Sequence, residues 1–433
     1  MTKPEIVLTP AAPSLDTPLQ IRVNGLPPGA ETVLTATQPD QTARPWTSSA
    51  TFVAGPSGEL DLSTDAPIAG YAGADPMGLV WSMTRGRKPR GAERDRRLLP
   101  PAELTLSVEA TVPAAGGRFS ASAVVQRHRW PDGVRRATVS GRGLVGTLFW
   151  RGDDGPRPGI LVLGGSEGGL HELDAALLAA RGFTVLALAY FGRRGLPRGL
   201  VSIPLEYFRD AITFLTACRS VLPGGVGVLG ASRGGEAALL TACADERVRA
   251  VVSVVGSAVM TQGIPAFDQL DTILAAGEPS WTLGGQTLPF VPQQVTPRMR
   301  EQIEAREPVD LALAYDDGLA DADQVAAAAI PLQRTRAAVL VATAGDDRMW
   351  PCGRLSTVPS IARHVGSWQQ LDYPEAGHLV AAPPYGPSTD LVTGGPGVRF
   401  ATGGSAAANA AARADLWPRI IDFFAEQLPH RPD

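Results

Sequence analysis

Apolar and polar positions alternate along the first third of the chain, and then the rhythm changes. Leu19, Ile21 and Val23 take every second position before the turn sequence GLPPG, as a strand with one buried face requires. Short apolar or alternating pieces follow at 51–53, 60–62 and 104–108, each close to Gly, Pro or Asp. Closely spaced strands without a helical period predict two packed antiparallel sheets, a β-sandwich, over residues 1–138.

From about residue 140, continuous apolar runs alternate with helical stripes. GILVL (159–163) and FTVLALA (183–189) are apolar almost throughout, as strands buried on both faces are. Leu170, Leu173, Leu177 and Leu178 recur at helical spacing between them, and Leu205, Phe208, Ile212 and Leu215 after them. VGVL (226–229), a helix over about 235–244, VRAVVSVV (248–255), AAVLVATA (337–344) and WQQLDY (368–373) continue the alternation. Trp417, Ile420, Ile421, Phe424 and Leu428 mark a closing helix. This pattern predicts a largely parallel sheet flanked by helices over 139–433, a class that binds ligands at the carboxyl ends of its strands.

Composition adds exclusions. The 433 residues are enough for two domains, and 44% hydrophobic with 19% charged residues is ordinary globular material. A net charge of -4 gives no reason to expect a nucleic-acid partner. The one basic stretch, RGRKPRGAERDRR (85–97), is broken by Gly, Pro and acids and reads as a solvated loop. Cys218, Cys243 and Cys352 have no metal-ligand spacing and form no even set for a disulfide framework. No run approaches the ~18–20 apolar residues that cross a bilayer, and the start has no signal-like apolar core. A cytoplasmic protein without a membrane span, a metal or an organic cofactor is expected.

The chemistry is concentrated in a few places. The pattern Gly-x-Ser-x-Gly occurs twice, as Gly164-Gly165-Ser166-Glu167-Gly168 and as Gly230-Ala231-Ser232-Arg233-Gly234, each after an apolar strand. In an α/β-hydrolase the nucleophile stands on a tight strand-to-helix turn. One oxyanion N–H follows it, a second comes from the loop after an earlier strand, and the acid and His come later in the chain. Taking GILVL as the third strand makes VGVL the fifth. That count selects Ser232 as nucleophile and gives the 164–169 loop the oxyanion role, with the N–H groups of Arg233 and of Ser166 or Glu167 as donors. The Arg233 side chain is left open between an anionic substrate and solvent.

AAVLVATA ends in Gly345-Asp346-Asp347, with Pro351 beyond, a spacing that favours Asp347 as the acid. Asp346 is expected to accept local backbone N–H bonds in the turn. Of the five histidines, only His378, in YPEAGH, has both the right order and the right flank. His128 precedes a turn, His171 starts a helix, His364 lies near a helix end and His430 is in the tail. A serine hydroxyl is a weak nucleophile at neutral pH, so an imidazole must take its proton, and a carboxylate must orient the imidazole. The prediction is a C-terminal α/β-hydrolase domain (139–433) preceded by an N-terminal all-β sandwich domain (1–138).

Longer blocks carry a resemblance. SLDTPLQIRVNGLPPGAETVLTA, ADPMGLVWSM (74–83), ARGFTVLALAYF, LEYFRDAITFL, GVGVLGASRGGE, WTLGGQTLPFVP (281–292), GDDRMWP and YPEAGHLVAAPPY resemble the type-I acyl-CoA thioesterase and bile acid-CoA:amino acid N-acyltransferase family, over nearly the whole chain. The resemblance implies a small-molecule acyl-CoA substrate and a Ser or Cys nucleophile with Asp and His, roles that fall on Ser232, Asp347 and His378. Members that transfer the acyl group to an amino acid look to use Cys. Serine forms an oxygen ester, which implies hydrolysis, an acyl-CoA thioesterase in which coenzyme A is only part of the substrate. An acyltransferase or a carboxylic ester hydrolase on the same triad is the alternative. Three features depart from the family pattern. Glu167 stands where members tend to carry Gly, the 261–278 segment is long and could form a lid, and HRPD lacks a peroxisomal signal of the Ser-Lys-Leu type.

Overall fold

The N-terminal alternation folds as antiparallel sheets. A computed structural model describes residues 3–38, 45–86, 103–114, 117–129, 132–141, 143–152, 155–357 and 361–429. The basic stretch beyond Gly86 and His430 therefore lie outside the described residues. Strands Glu5–Thr9, Gln20–Asn24 and Leu60–Asp61 form a three-stranded sheet. Thr84–Arg85, Trp46–Val53, Glu31–Gln38, Glu103–Ala114 and Gly117–His128 form a second, in that order. Ile21 and Val23 are fully buried while Gln20 and Arg22 are exposed. Thr32, Leu34, Ala36 and Gln38 line the buried face of Glu31–Gln38. With Phe52, Leu60, Leu62, Val112 and Val125 these strands close one apolar core, the β-sandwich expected.

The second half builds one sheet of eight strands: β1 (Val134–Val139), β2 (Val145–Arg151), β3 (Arg157–Leu163), β4 (Thr184–Ala189), β5 (Val221–Ala231), β6 (Val248–Val254), β7 (Ala338–Ala344) and β8 (Trp368–Tyr373). Their order across the sheet is β1-β2-β4-β3-β5-β6-β7-β8. Strand β2 is antiparallel to both neighbours, and all other pairs are parallel. That topology is the α/β-hydrolase fold. Every residue of β4 and β7 is buried, which explains why both read as unbroken apolar runs. Helices α1 (Glu172–Ala180), α2 (Leu205–Thr216), α3 (Arg233–Ala244) and α4 (Ala406–Gln427) join the strands or follow them. On α2 the buried residues include Leu205, Phe208, Ile212 and Leu215, the stripe read from the sequence.

By contacts the chain divides into two compact units, 1–131 with 383–390 and 405–414, and 132–382 with 391–404 and 415–433. The sequence reading set its boundary at 138. The division falls at 131 because 134–139 is a strand that pairs with β2. The 261–278 segment is anchored at its start, where Thr261 bridges Val291, Gln262 bridges Pro279 and Ile264 bridges Leu200. A short helix, Leu270–Ala275, follows. Among the described residues no helix is long and apolar enough to cross a membrane.

Candidate active site

Strand β5 ends at Ala231 and α3 begins at Arg233, so Ser232 alone makes the turn between them. Its backbone sits at φ 54, ψ -122, a region that side-chain-bearing residues rarely enter and that costs strain. The flanking glycines follow from the same tightness. A Cβ on Gly230 would lie 1.9 Å from the Gly234 carbonyl oxygen, and one on Gly234 would lie 2.4 Å from that of Leu163. The Gly-x-Ser-x-Gly spacing is thus a steric requirement of this turn. Ser166, the serine of the other copy, lies exposed in the loop after β3.

His378 opens the short turn His378–Ala381 after β8. Its Nε2 lies 3.0 Å from Ser232 Oγ, and its Nδ1 lies 2.8 Å from Asp347 Oδ2. Asp347 Oδ1 accepts the N–H groups of Met349 and Trp350 at 2.9 and 3.2 Å. One oxygen is therefore held by backbone while the other faces the imidazole. Burial lowers the His378 pKa, but the charge and hydrogen bond of Asp347, with a contribution from Glu167, outweigh it and leave the value above 6.5. Asp346 turns elsewhere. It accepts from Gly404 N–H at 2.8 Å and from Arg348 Nε at 3.0 Å, so the local turn bonds expected of it are replaced by these two.

The expected oxyanion donors are placed as follows. The Arg233 N–H, at the first position of α3, has no hydrogen bond among the described residues, and neither do those of Ser166 and Glu167. The Gly165 N–H donates to Glu167 Oε1 at 3.1 Å. Tyr190 Oη donates to the Gly164 carbonyl at 2.6 Å and fixes the base of this loop.

The Arg233 side chain meets neither solvent nor an open site. It is 2% exposed, ion-paired with Glu236 at 3.0 Å, and donates to the Thr261 carbonyl and to Ser280 Oγ. The rings of Trp281 and Trp350 lie 6.0 and 5.8 Å from the guanidinium. Glu236 accepts from Thr261 N–H, Thr261 Oγ1 and Trp281 Nε1 at 3.0, 2.8 and 2.6 Å. Burial raises the Glu236 pKa against the pull of Arg233. The sequence reading missed this buried support under the turn. The one signal for it was the i, i+3 spacing of Arg233 and Glu236 on a helix. Among the described residues no group of three His, Cys, Asp or Glu is placed to hold a metal ion.

Comparison with known proteins gives the same direction over the full length. Residues 16–141 match the family description "Acyl-CoA thioester hydrolase/BAAT N-terminal region" and residues 203–430 match "BAAT / Acyl-CoA thioester hydrolase C terminal". Acyl-coenzyme A thioesterase 3 of Mus musculus is 33% identical, over 98% of this chain and 94% of its own length. Acyl-coenzyme A thioesterase 1 of Homo sapiens is 32% identical, over 98% and 96%. The mitochondrial acyl-coenzyme A thioesterase 2 of Homo sapiens is 32% identical, over 98% and 84%. Among solved structures, a dienelactone hydrolase-like promiscuous phosphotriesterase from metagenomic libraries is 18% identical with a TM-score of 0.41, over 69% of this chain and 100% of its own. With both family regions matched in order and relatives above 30% identity along almost all of its length, the chain belongs to the acyl-CoA thioester hydrolase/BAAT family.

Proposed function

We propose that this protein is an acyl-CoA thioesterase working through a Ser232 acyl-enzyme. The observation that carries the reading is the unbroken hydrogen-bonded line from Asp347 through His378 to Ser232 on a strained turn. His378 Nε2 takes the Ser232 proton as Oγ attacks the thioester carbonyl, and Asp347 holds the imidazole tautomer and offsets its charge. The oxyanion is met by the N–H of Arg233 and by one from the 164–169 loop. The C–S bond breaks, coenzyme A leaves as the thiol with the proton from His378, and the same imidazole then activates water to release the acid. In this reading the triad carries the chemistry without a metal or organic cofactor, and coenzyme A enters only as part of the substrate. A cytoplasmic setting belongs to the same proposal.

The test is a comparison of acyl-CoA with p-nitrophenyl esters on the purified protein, with and without added amino acids. Free acid and thiol released in equal amounts, unaffected by the amino acids, is the expected result. An N-acyl amino acid as the main product would replace hydrolysis with transfer. Turnover of the nitrophenyl esters alone would make it a carboxylic ester hydrolase.

A further inference from the structure

The glycine-rich loop holds a group of side chains that the triad does not use. Glu167 Oε1 lies 2.5 Å from His171 Nε2 and accepts the Gly165 N–H. The other ring nitrogen, His171 Nδ1, lies 3.0 Å from Asp174 Oδ2. An imidazole flanked by two carboxylates satisfies both only by donating from both nitrogens, which makes it an imidazolium. Burial opposes that charge, but the bonds and charges of Asp174 and Glu167 raise the His171 pKa to about 10. His171 is thus a fixed cation across the neutral range and no second base. Desolvation likewise works to raise the Glu167 carboxyl, and its bond to His171 holds it below the usual value.

The remaining oxygen of Glu167 and the nucleophile both border Gly165. Glu167 Oε2 lies 2.7 Å, and Ser232 Cβ 3.2 Å, from the point where a Cβ on Gly165 would stand. The Glu167 carboxylate and Ser232 therefore both crowd the side of Gly165 where a side chain would stand. A bare carboxylate in this loop would oppose a developing oxyanion, and the imidazolium bonded to it offsets it. With the Gly165 N–H engaged by Glu167 and the Gly168 N–H by the Gly165 carbonyl, the N–H groups left open between them are those of Ser166 and Glu167.

We propose that Glu167 and His171 are positioning residues of the hydrolysis: the Glu167 carboxylate, bonded to His171 and to the Gly165 N–H, sets the 164–169 loop so that one of its open N–H groups, that of Ser166 or of Glu167, faces the same oxyanion as the Arg233 N–H. This rests on the reading of Ser232 as nucleophile. His171 feels the charges of Asp174 and Glu167, and His378 those of Asp347 and Glu167. Tyr190, bonded to Gly164, and Arg193, against Gly169, also face the loop.

The experiment measures kcat, KM and pH profiles for Glu167→Gln, His171→Gln and the double variant, with Glu167→Asp as the conservative control. The expected result is a kcat about ten- to a hundredfold lower in each single variant with KM within about twofold, and partial recovery in Glu167→Asp. The double variant should lose little more than either single one, because both remove one device. The acid limb of Glu167→Gln should also move to lower pH, since a charge that favours the His378 imidazolium is gone. Kcat within about twofold of the parent in both single variants, with an unmoved acid limb, would overturn the proposal; melting curves identify a variant that merely unfolds, and Glu167→Asp then decides. If the parent turns over nitrophenyl esters but not acyl-CoA, the thioesterase reading fails while the same ratios, read on the ester, still decide the loop. A parent inert to both substrates overturns both.

Discussion

At the level of single residues, the triad was legible because each member is fixed by order along the chain and by its flank. Ser232, Asp347 and His378 each lie just after the end of a strand of the sheet, and that constraint survives in one dimension. The Arg233 side chain was not legible, since its partners Thr261 and Ser280 are 28 and 47 positions away. The pH behaviour follows from the residues themselves. His378 must be neutral to act as base, and its pKa is raised above 6.5. Activity should therefore rise with pH along an acid limb centred above 6.5. Asp347→Asn should cost about 10⁴-fold in kcat, as a wrongly held tautomer does, and move that limb to lower pH in kcat/KM profiles. His171 gives a stability counterpart. Its folded pKa, about 10, exceeds its ordinary 6.5, so its contribution is complete below pH 6.5 and is lost as the pH rises towards about 10. Denaturant titrations of His171→Gln should show a smaller fall in stability over that window than the parent shows.

At the level of elements, burial decides what a sequence discloses. Strands β4 and β7 are buried throughout and stood out as apolar runs. Strand β1 buries Val139 and exposes Arg135, Arg136, Ala137 and Thr138, so it carried no apolar signal and was assigned to the preceding domain. The start of α4, AAANAAARA (406–414), lies before the apolar stripe that marks the closing helix, yet an alanine-rich stretch is a strong helix former and the helix begins there. The turn at Ser232 is the element on which the site depends, and two changes probe it. Gly234→Ala would drive a Cβ into the backbone of Leu163 and Gly164, and should abolish fluorophosphonate labelling of Ser232. Glu236→Gln would leave the Arg233 guanidinium buried without its anion, at a cost of about 3–5 kcal/mol, measurable as a lower denaturation midpoint.

For the whole molecule, the lesson is that compact units need not be contiguous. The first unit takes in 383–390 and 405–414 from far along the chain. Tyr385 packs against its apolar core and its carbonyl accepts from the buried Arg127 at 2.8 Å, while Ser388 and Thr389 bond to the carbonyls of Trp81 and Met83. No local pattern announces such pairings, because the partners stand 258 and 306 positions apart in the chain. Residues 1–138 produced alone should accordingly be less protected in amide exchange than the same residues in the full chain, with the loss greatest around Trp81 and Arg127. The family relationship spans both units, but the account of the reaction stands on one covalent step. Rapid-quench mass spectrometry during acyl-CoA turnover tests it most directly. One acyl group should appear on the peptide that carries Ser232, decay as free acid forms, and be absent from Ser232→Ala along with nearly all turnover. Undiminished hydrolysis by Ser232→Ala, or an acyl group found on Ser166 instead, would contradict it.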